Sequence, residues 1–252
     1  MQTAGAGVKA GVALLLTLAA GFVDIVGFLS AYHAFTAQMT GNTVHLGHWL
    51  AQRNWSGAGM TAATVAAFVL GSIVGRVVIE IASRRRVRSV ASVTLALEVL
   101  LIAGFIFIVM GASRAHPKPL LIAMLAAAMG VQTATLTRVG PLTIHTTFLT
   151  GMLNKLAQMM AHAVFHTYDL LRTRLKDERV AHRDLQHEAL RQGSFLFAVW
   201  LCYLAGAVTG SFFEARWEIR ALYLPVALLL AGIAIDQWKP LSVESERDQP
   251  ER

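Results

Sequence analysis

The sequence predicts an all-α polytopic transmembrane bundle of about six spans plus two re-entrant or half-helical segments, organised as an inverted two-fold internal repeat. Three observations lead there. The chain of 252 residues is 55% hydrophobic and 15% charged, with a mean hydropathy of +0.54, more apolar than one water-soluble core can use. Six runs approach the ~20 apolar residues that cross a bilayer as a helix, the form that satisfies every backbone polar group internally. Glycine-centred motifs in the first half of the chain return in the second.

The first run, residues 8 to 31, has Lys9 as its only positive flank and carries Asp24, which fits a retained span rather than a cleaved signal. Residues 37 to 51 (AQMTGNTVHLGHWLA) are semi-polar and too short to span. Spans follow at 60 to 82 and 90 to 112, divided by an acid-free turn with Arg84, Arg85, Arg86 and Arg88. The second half runs through a span at 119 to 138, a semi-polar stretch at 142 to 167, and spans at 194 to 213 and 220 to 237. Between them, residues 168 to 193 set Arg172, Arg174, Lys176, Arg179, Arg183 and Arg191 against five acids, the pattern of a solvated surface helix or loop. A polar tail covers 238 to 252, so one transmembrane domain is expected over 1 to 237. The single cysteine, Cys202, excludes a disulfide scaffold. The net charge of +7 falls in clusters that border apolar runs, so it orients the chain in a bilayer and gives no nucleic-acid surface.

The repeat rests on three matches. Met39-Thr40-Gly41 returns as Leu149-Thr150-Gly151, an offset of 110, and Gly21 matches Gly130 within one residue of it. Gly71 and Gly75 (GSIVG) return as Gly206 and Gly210 (GAVTG) at an offset of 135, the added 25 residues coinciding with the charged 168 to 193 insertion. LLIAG at 100 to 104 echoes LLLAG at 228 to 232. The halves are therefore 8 to 112 and 119 to 237. If both semi-polar segments re-enter, each half has three spans, and an odd number inverts the second half. With both termini cytoplasmic, fourteen basic residues lie inside against five outside (Arg53, Arg114, Lys118, Arg216 and Arg220). An eight-span alternative gives similar totals but exports the arginine turn at 84 to 88, so six spans are preferred.

Polar residues inside spans mark candidate sites. At ~1.5 Å per residue, Asp24 lies about 10 Å and Glu98 about 13 Å from the nearer end of its span. Each is either a functional carboxyl or one that fixes helix packing. Arg76 and Glu80 are spaced to pair on one helix face, with Arg76 neutralising Asp24 as the sharper alternative. Gln38, Thr40, Gly41, Asn42 and Thr43 suit a broken helix that offers polar groups to a solute near the midplane. Thr150, Gly151 and Asn154 are placed to do the same from the other half, beside Gln132, Thr133, Thr135 and Thr137; packing by small and hydroxyl residues is the competing reading. His45 with His48, and His162 with His166, share helix faces but lack the HExxH glutamate, so they read as interfacial and no metal site is expected. His33, His45 and His48 form the only local cluster that an enzyme reading can use. No catalytic or nucleotide-binding motif is present, so neither an enzyme nor a cofactor is expected.

The string AGFVDIVGFLSAYHAFTAQMTGNTVHLG (20 to 47), with its Gly-Phe-Val-Asp start and Met-Thr-Gly-Asn-Thr core, resembles the signature of the YoaK family of bacterial membrane proteins, a family of unknown function. The resemblance extends in pattern over nearly the whole chain. Where that family repeats Thr-Gly-Asn in its later half, this chain has Thr150-Gly151-Met152. Membership implies a multi-pass protein of the bacterial inner membrane and supplies no substrate.

Two functional readings follow. In the preferred one the protein moves a small solute or ion, with the Thr40 to Thr43 and Thr150-Gly151 segments as the site and Asp24, with Glu98, as counter-ion or proton carrier. In the other it is a non-transporting scaffold or stress-associated protein whose glycine motifs pack helices and whose charged segment docks a partner. The expected partners are the lipid bilayer and a small solute or ion, with a homo-oligomer left open.

Overall fold

A computed structural model describes residues 4–30, 34–111, 118–135, 138–139, 142–143, 146–172 and 176–241. His33, Arg114, Thr137, Arg174 and the tail beyond Leu241 lie outside the described residues. The helices are α1 (Ala6–Ser30), α2 (Met39–Ala51), α3 (Trp55–Arg84), α4 (Val90–Gly111), α5 (Lys118–Thr135), α6 (Leu149–Arg172), α7 (Lys176–Trp217) and α8 (Tyr223–Trp238). A two-residue antiparallel ladder pairs Arg138–Val139 with Leu142–Thr143, and a 3-10 turn at Glu218–Leu222 divides α7 from α8.

Each expected span has a helix over most of its length: α1, α3, α4, α5, α7 and α8. Helices α1, α3 and α4, and the stretch from His182 to Trp238, are long and apolar enough to cross a membrane, while the apolar part of α5, Leu120–Thr135, is shorter. The protein is a multi-pass helical membrane protein. Of the semi-polar stretches, the first forms the 13-residue α2, about 20 Å long and short of the ~30 Å hydrocarbon core. The second forms the 24-residue α6. The charged segment expected as a surface helix or loop is helical where described: it closes α6 and supplies the start of α7.

Local chemistry explains the helix ends. Asn54 caps α3 by accepting from the Gly57 amide at 3.0 Å. Helix α2 closes with the Asn54 amide on the Trp49 carbonyl and the Arg53 amide on the Leu50 carbonyl, and Arg53 takes a φ of 55°. Helix α3 closes identically, with Val87 on Ala82, Arg86 on Ser83, and Arg86 at a φ of 53°. Both are Schellman ends with arginine where glycine is usual.

The chain forms two compact units, Met1–Thr147 with Cys202–Arg252, and Phe148–Leu201. In the first, the contacts fix helix directions. The Gln132 side chain meets the Leu16 carbonyl while Leu125 reaches Gly27, so α1 and α5 run in opposite directions. Ser92 meets Asp236 and Tyr223 meets Met110, so α4 and α8 are antiparallel. Helix α3 runs parallel to α5, with Gly71 against Ala127 and Gly75 against Val131. The part of α7 in this unit runs parallel to α1, with Gly206 against Leu18 and Gly210 against Phe22.

These last contacts are backbone-on-backbone. A Cβ at Gly21 would fall on the Tyr203 carbonyl oxygen, and one at Gly130 on that of Phe68. A Cβ at Gly71 would fall on the Ala127 carbonyl oxygen, and one at Gly206 on that of Leu18. In lipid, where apolar burial gives helices little reason to associate, such close approach supplies the dispersion contacts that hold them. The two sets correspond residue for residue, at an offset of 109 between α1 and α5 and of 135 between α3 and α7.

The second unit contains α6 and the start of α7. Met152 and Ala163 are the buried residues of α6, and Met160 lies over Gly193 of α7. The Gln186 amide nitrogen donates to the Thr167 hydroxyl at 2.7 Å, pinning the register of the two helices.

Candidate functional site

Asp24 is 3% exposed and both of its carboxyl oxygens are occupied. Oδ1 accepts from the Thr36 amide at 2.7 Å, the Thr36 hydroxyl at 3.0 Å and the Ala37 amide at 2.8 Å. Oδ2 accepts from the Tyr203 hydroxyl at 2.6 Å. The carboxyl thus satisfies backbone amides in the turn before α2, groups that would be costly to leave bare in a membrane. Gly27 makes room for this turn, since a Cβ there would fall on the Thr36 methyl group.

Asn42 completes the same turn from the other side. Its side chain donates to the Phe35 carbonyl at 2.7 Å and accepts from the Phe35 amide at 3.0 Å, closing a two-bond ring. It is fully buried. Thr43 turns its hydroxyl back to the Met39 carbonyl at 2.8 Å, the usual resting place of a helical threonine. Gly41 lies against the Phe35 ring, and Thr40 and Gln38 are exposed. Asp24 and the polar residues around α2 are therefore brought together as one hydrogen-bonded turn whose buried members are occupied by one another.

The corresponding turn after α5 is held by weaker groups. Gln132 donates to the Leu16 carbonyl at 2.7 Å and to the Thr146 hydroxyl at 3.4 Å, and its Oε1 is buried with no hydrogen-bond partner among the described residues. Thr133 and Thr147 share a hydroxyl hydrogen bond of 2.6 Å. Thr135 bonds the Val131 carbonyl within its own helix. Further on, in the second unit, Thr150 and Asn154 are exposed, Gly151 lies under the Phe148 ring, and Met152 takes the buried position that the motif gives to Asn42.

Glu98 stands apart from both turns. It is 0% exposed on α4, and both carboxyl oxygens are buried without a hydrogen-bond partner among the described residues. No described hydrogen bond joins it to Asp24, Asn42 or Gln132. On α3, Glu80 accepts from Arg84 at 2.7 Å, and Arg76 sits half-buried one turn before Glu80.

Sequence reasoning missed a third buried acid, Asp236 on α8. Its Oδ2 accepts from the Ser92 amide at 2.7 Å and the Ser92 hydroxyl at 2.6 Å, and its Oδ1 from the Leu241 amide at 2.7 Å. Ser92 lies in the first turn of α4, so a carboxyl from another helix occupies an amide that α4 leaves open. The signal was an acid one residue from the end of the last apolar run, easily taken for the boundary. Tyr203, the Asp24 partner, gave no signal beyond its place near the GAVTG motif.

The histidines divide as well. His45 stacks on Phe35 and His48 tilts against Trp49. His162 stacks on His166, and His166 also faces His182 of α7 at 5.9 Å between ring centroids.

Comparison with known proteins identifies a family. The family model described as "Protein of unknown function (DUF1275)" matches residues 12–235. The chain is similar to the UPF0700 transmembrane protein YoaK of Bacillus subtilis (strain 168), with 29% identity over 231 residues that cover 91% of this chain and 94% of that relative. No solved structure matches it.

Proposed function

The chain belongs to this DUF1275 family of membrane proteins, and we propose that it is a transporter of a small solute or ion, built from two inverted three-span halves, in which Glu98 is the proton-carrying group. The observation that carries the reading is the state of Glu98: a carboxyl at full burial in a membrane helix whose two oxygens meet no donor among the described residues. A buried carboxylate left without partners costs far more than a neutral side chain, so a carboxyl with no described partner at that position suits a group that takes up and releases a proton.

The inverted arrangement supports this reading. Helices α1 and α5 run oppositely, and the glycine contacts of α1 with α7 match those of α5 with α3 at constant offsets. Repeats of this kind place a binding site between halves that rock against each other. On this reading the six spans have both ends of the chain on the cytoplasmic side of the inner membrane, with the arginine turn at 84 to 88 inside. Asp24 and Asn42 then hold the re-entrant α2 in shape, and Gln132, with its buried oxygen free of a described partner, is the second group available to a solute.

Proteoliposomes loaded with a pH-reporting dye and offered monovalent cations, small carboxylates and small amines test this. At least one solute is expected to move protons with the natural protein, and Glu98→Gln is expected to reduce that movement at least tenfold while leaving the melting temperature unchanged. Proton movement equal in Glu98→Gln, or absent with every solute, overturns the reading. The scaffold alternative is favoured by one observation, the full occupancy of Asp24 and Asn42 by their own turn.

A further inference from the structure

The second unit holds a cluster that the transport reading does not use. His166 and Asp169 lie one turn apart on α6, and His182 lies across from them on α7. One donor atom of each sits within 4.8 Å of the other two. The His182 Nδ1 stands 4.0 Å from the Asp169 Oδ2, too far for a hydrogen bond. The Nδ1 atoms of both His166 and His182 are buried with no hydrogen-bond partner among the described residues. Two imidazole nitrogens and a carboxylate are thus drawn together, yet they do not bond one another.

We infer that His166, Asp169 and His182 form a binding site for a divalent transition-metal ion of the zinc type, which clamps α6 to α7. The donor set is two imidazoles and one carboxylate, which suits zinc and leaves a fourth position for water. Tetrahedral zinc bonds of about 2.0–2.1 Å put donor atoms about 3.3 Å apart. Side-chain rotations that bring each donor inward by under about 1 Å close the gap. The Gln186–Thr167 hydrogen bond at 2.7 Å already sets the helix register, so the backbone need not move. Metal binding accounts for the orphaned nitrogens directly, since a nitrogen aimed at an ion has no need of a proton donor or acceptor. The sequence concealed the site because His162 and His166 form the obvious i, i+4 pair, while the third ligand follows 13 residues after Asp169, beyond the end of α6.

The test uses the full chain, purified in detergent without a polyhistidine tag and stripped with chelator. Titration with zinc alone by calorimetry is expected to show one equivalent bound, and cobalt(II) to give the intense visible absorption of a tetrahedral ion. Asp169→Asn and His182→Ala are expected to weaken zinc at least tenfold, while His187→Ala, on the same helix outside the cluster, leaves it unchanged. His182→Cys is expected to restore binding and add a sulfur-to-cobalt charge-transfer band, which a purely structural histidine does not produce. No zinc binding by the stripped protein overturns the inference. So does zinc binding that survives both Asp169→Asn and His182→Ala, which assigns the ion to other histidines.

Discussion

The turns that follow α1 and α5, two helices whose glycine contacts correspond at an offset of 109, are built with different chemistry. After α1, one carboxyl collects four donors from Thr36, Ala37 and Tyr203, and Asn42 closes the turn with two more bonds. After α5, Thr133 stands where the repeat places Asp24, and it makes one hydroxyl bond to Thr147, the counterpart of Ala37. Met152 stands where Asn42 would be. The helix packing around the two turns is equivalent, so the difference is local. The lesson is that turns set in equivalent helix packing can rest on a carboxyl and a carboxamide or on neutral hydroxyls, the second leaving the Gln132 oxygen without a described partner.

The largest expected effect comes from removing the anchor of the stronger turn. Asp24→Ala strands two amides and the Thr36 and Tyr203 hydroxyls, and at ~1–3 kcal/mol for each group left bare a loss of at least about 4 kcal/mol is expected. Reversible unfolding in mixed detergent measures it; a loss below ~1 kcal/mol would mean that the turn does not depend on the carboxyl. Asp236→Ala strands the Ser92 and Leu241 amides and is expected to cost about 2–4 kcal/mol in the same assay. Thr133→Val removes a single hydroxyl bond and is expected to cost about 1 kcal/mol. An equal loss for Asp24→Ala and Thr133→Val would erase the contrast between the halves.

Glu98 sharpens the same comparison from the opposite side. Because no described bond is broken, Glu98→Leu is expected to leave stability unchanged or to raise it by about 1 kcal/mol while abolishing transport. A large loss of stability would instead make Glu98 a packing residue and favour the scaffold reading. The smallest effect belongs to a helix end: Arg53→Gly relieves a left-handed backbone at the close of α2 and is expected to stabilise by about 0.5–1 kcal/mol. A thermal shift downward would contradict the Schellman assignment.

Most of the fold was legible because membrane helices announce themselves by length and hydropathy, and because small-xxx-small glycines mark where backbones touch. GSIVG and GAVTG are motifs of this kind, and Gly71, Gly75, Gly206 and Gly210 all make such contacts. Asp24 and Asn42 were singled out from sequence, but their partners were not. A carboxyl that bonds the amide of a residue 12 positions away leaves no trace in composition, since any residue type supplies an amide. Asp236 was passed over because its value lies in capping a different helix, a relation set by tertiary contact alone. The full length of α6 was obscured because its polar residues share a helix with apolar ones that no single window makes long or apolar enough to span.

The inverted halves are the claim on which the rest depends, and labelling of intact cells tests them directly. On a Cys202→Ser background, Arg53→Cys, Arg86→Cys and Trp217→Cys each place one thiol in a loop between helices or at a helix end. Inverted three-span halves predict labelling from outside at positions 53 and 217 and protection at 86. Labelling at 86 from outside, with protection at 53, would contradict them.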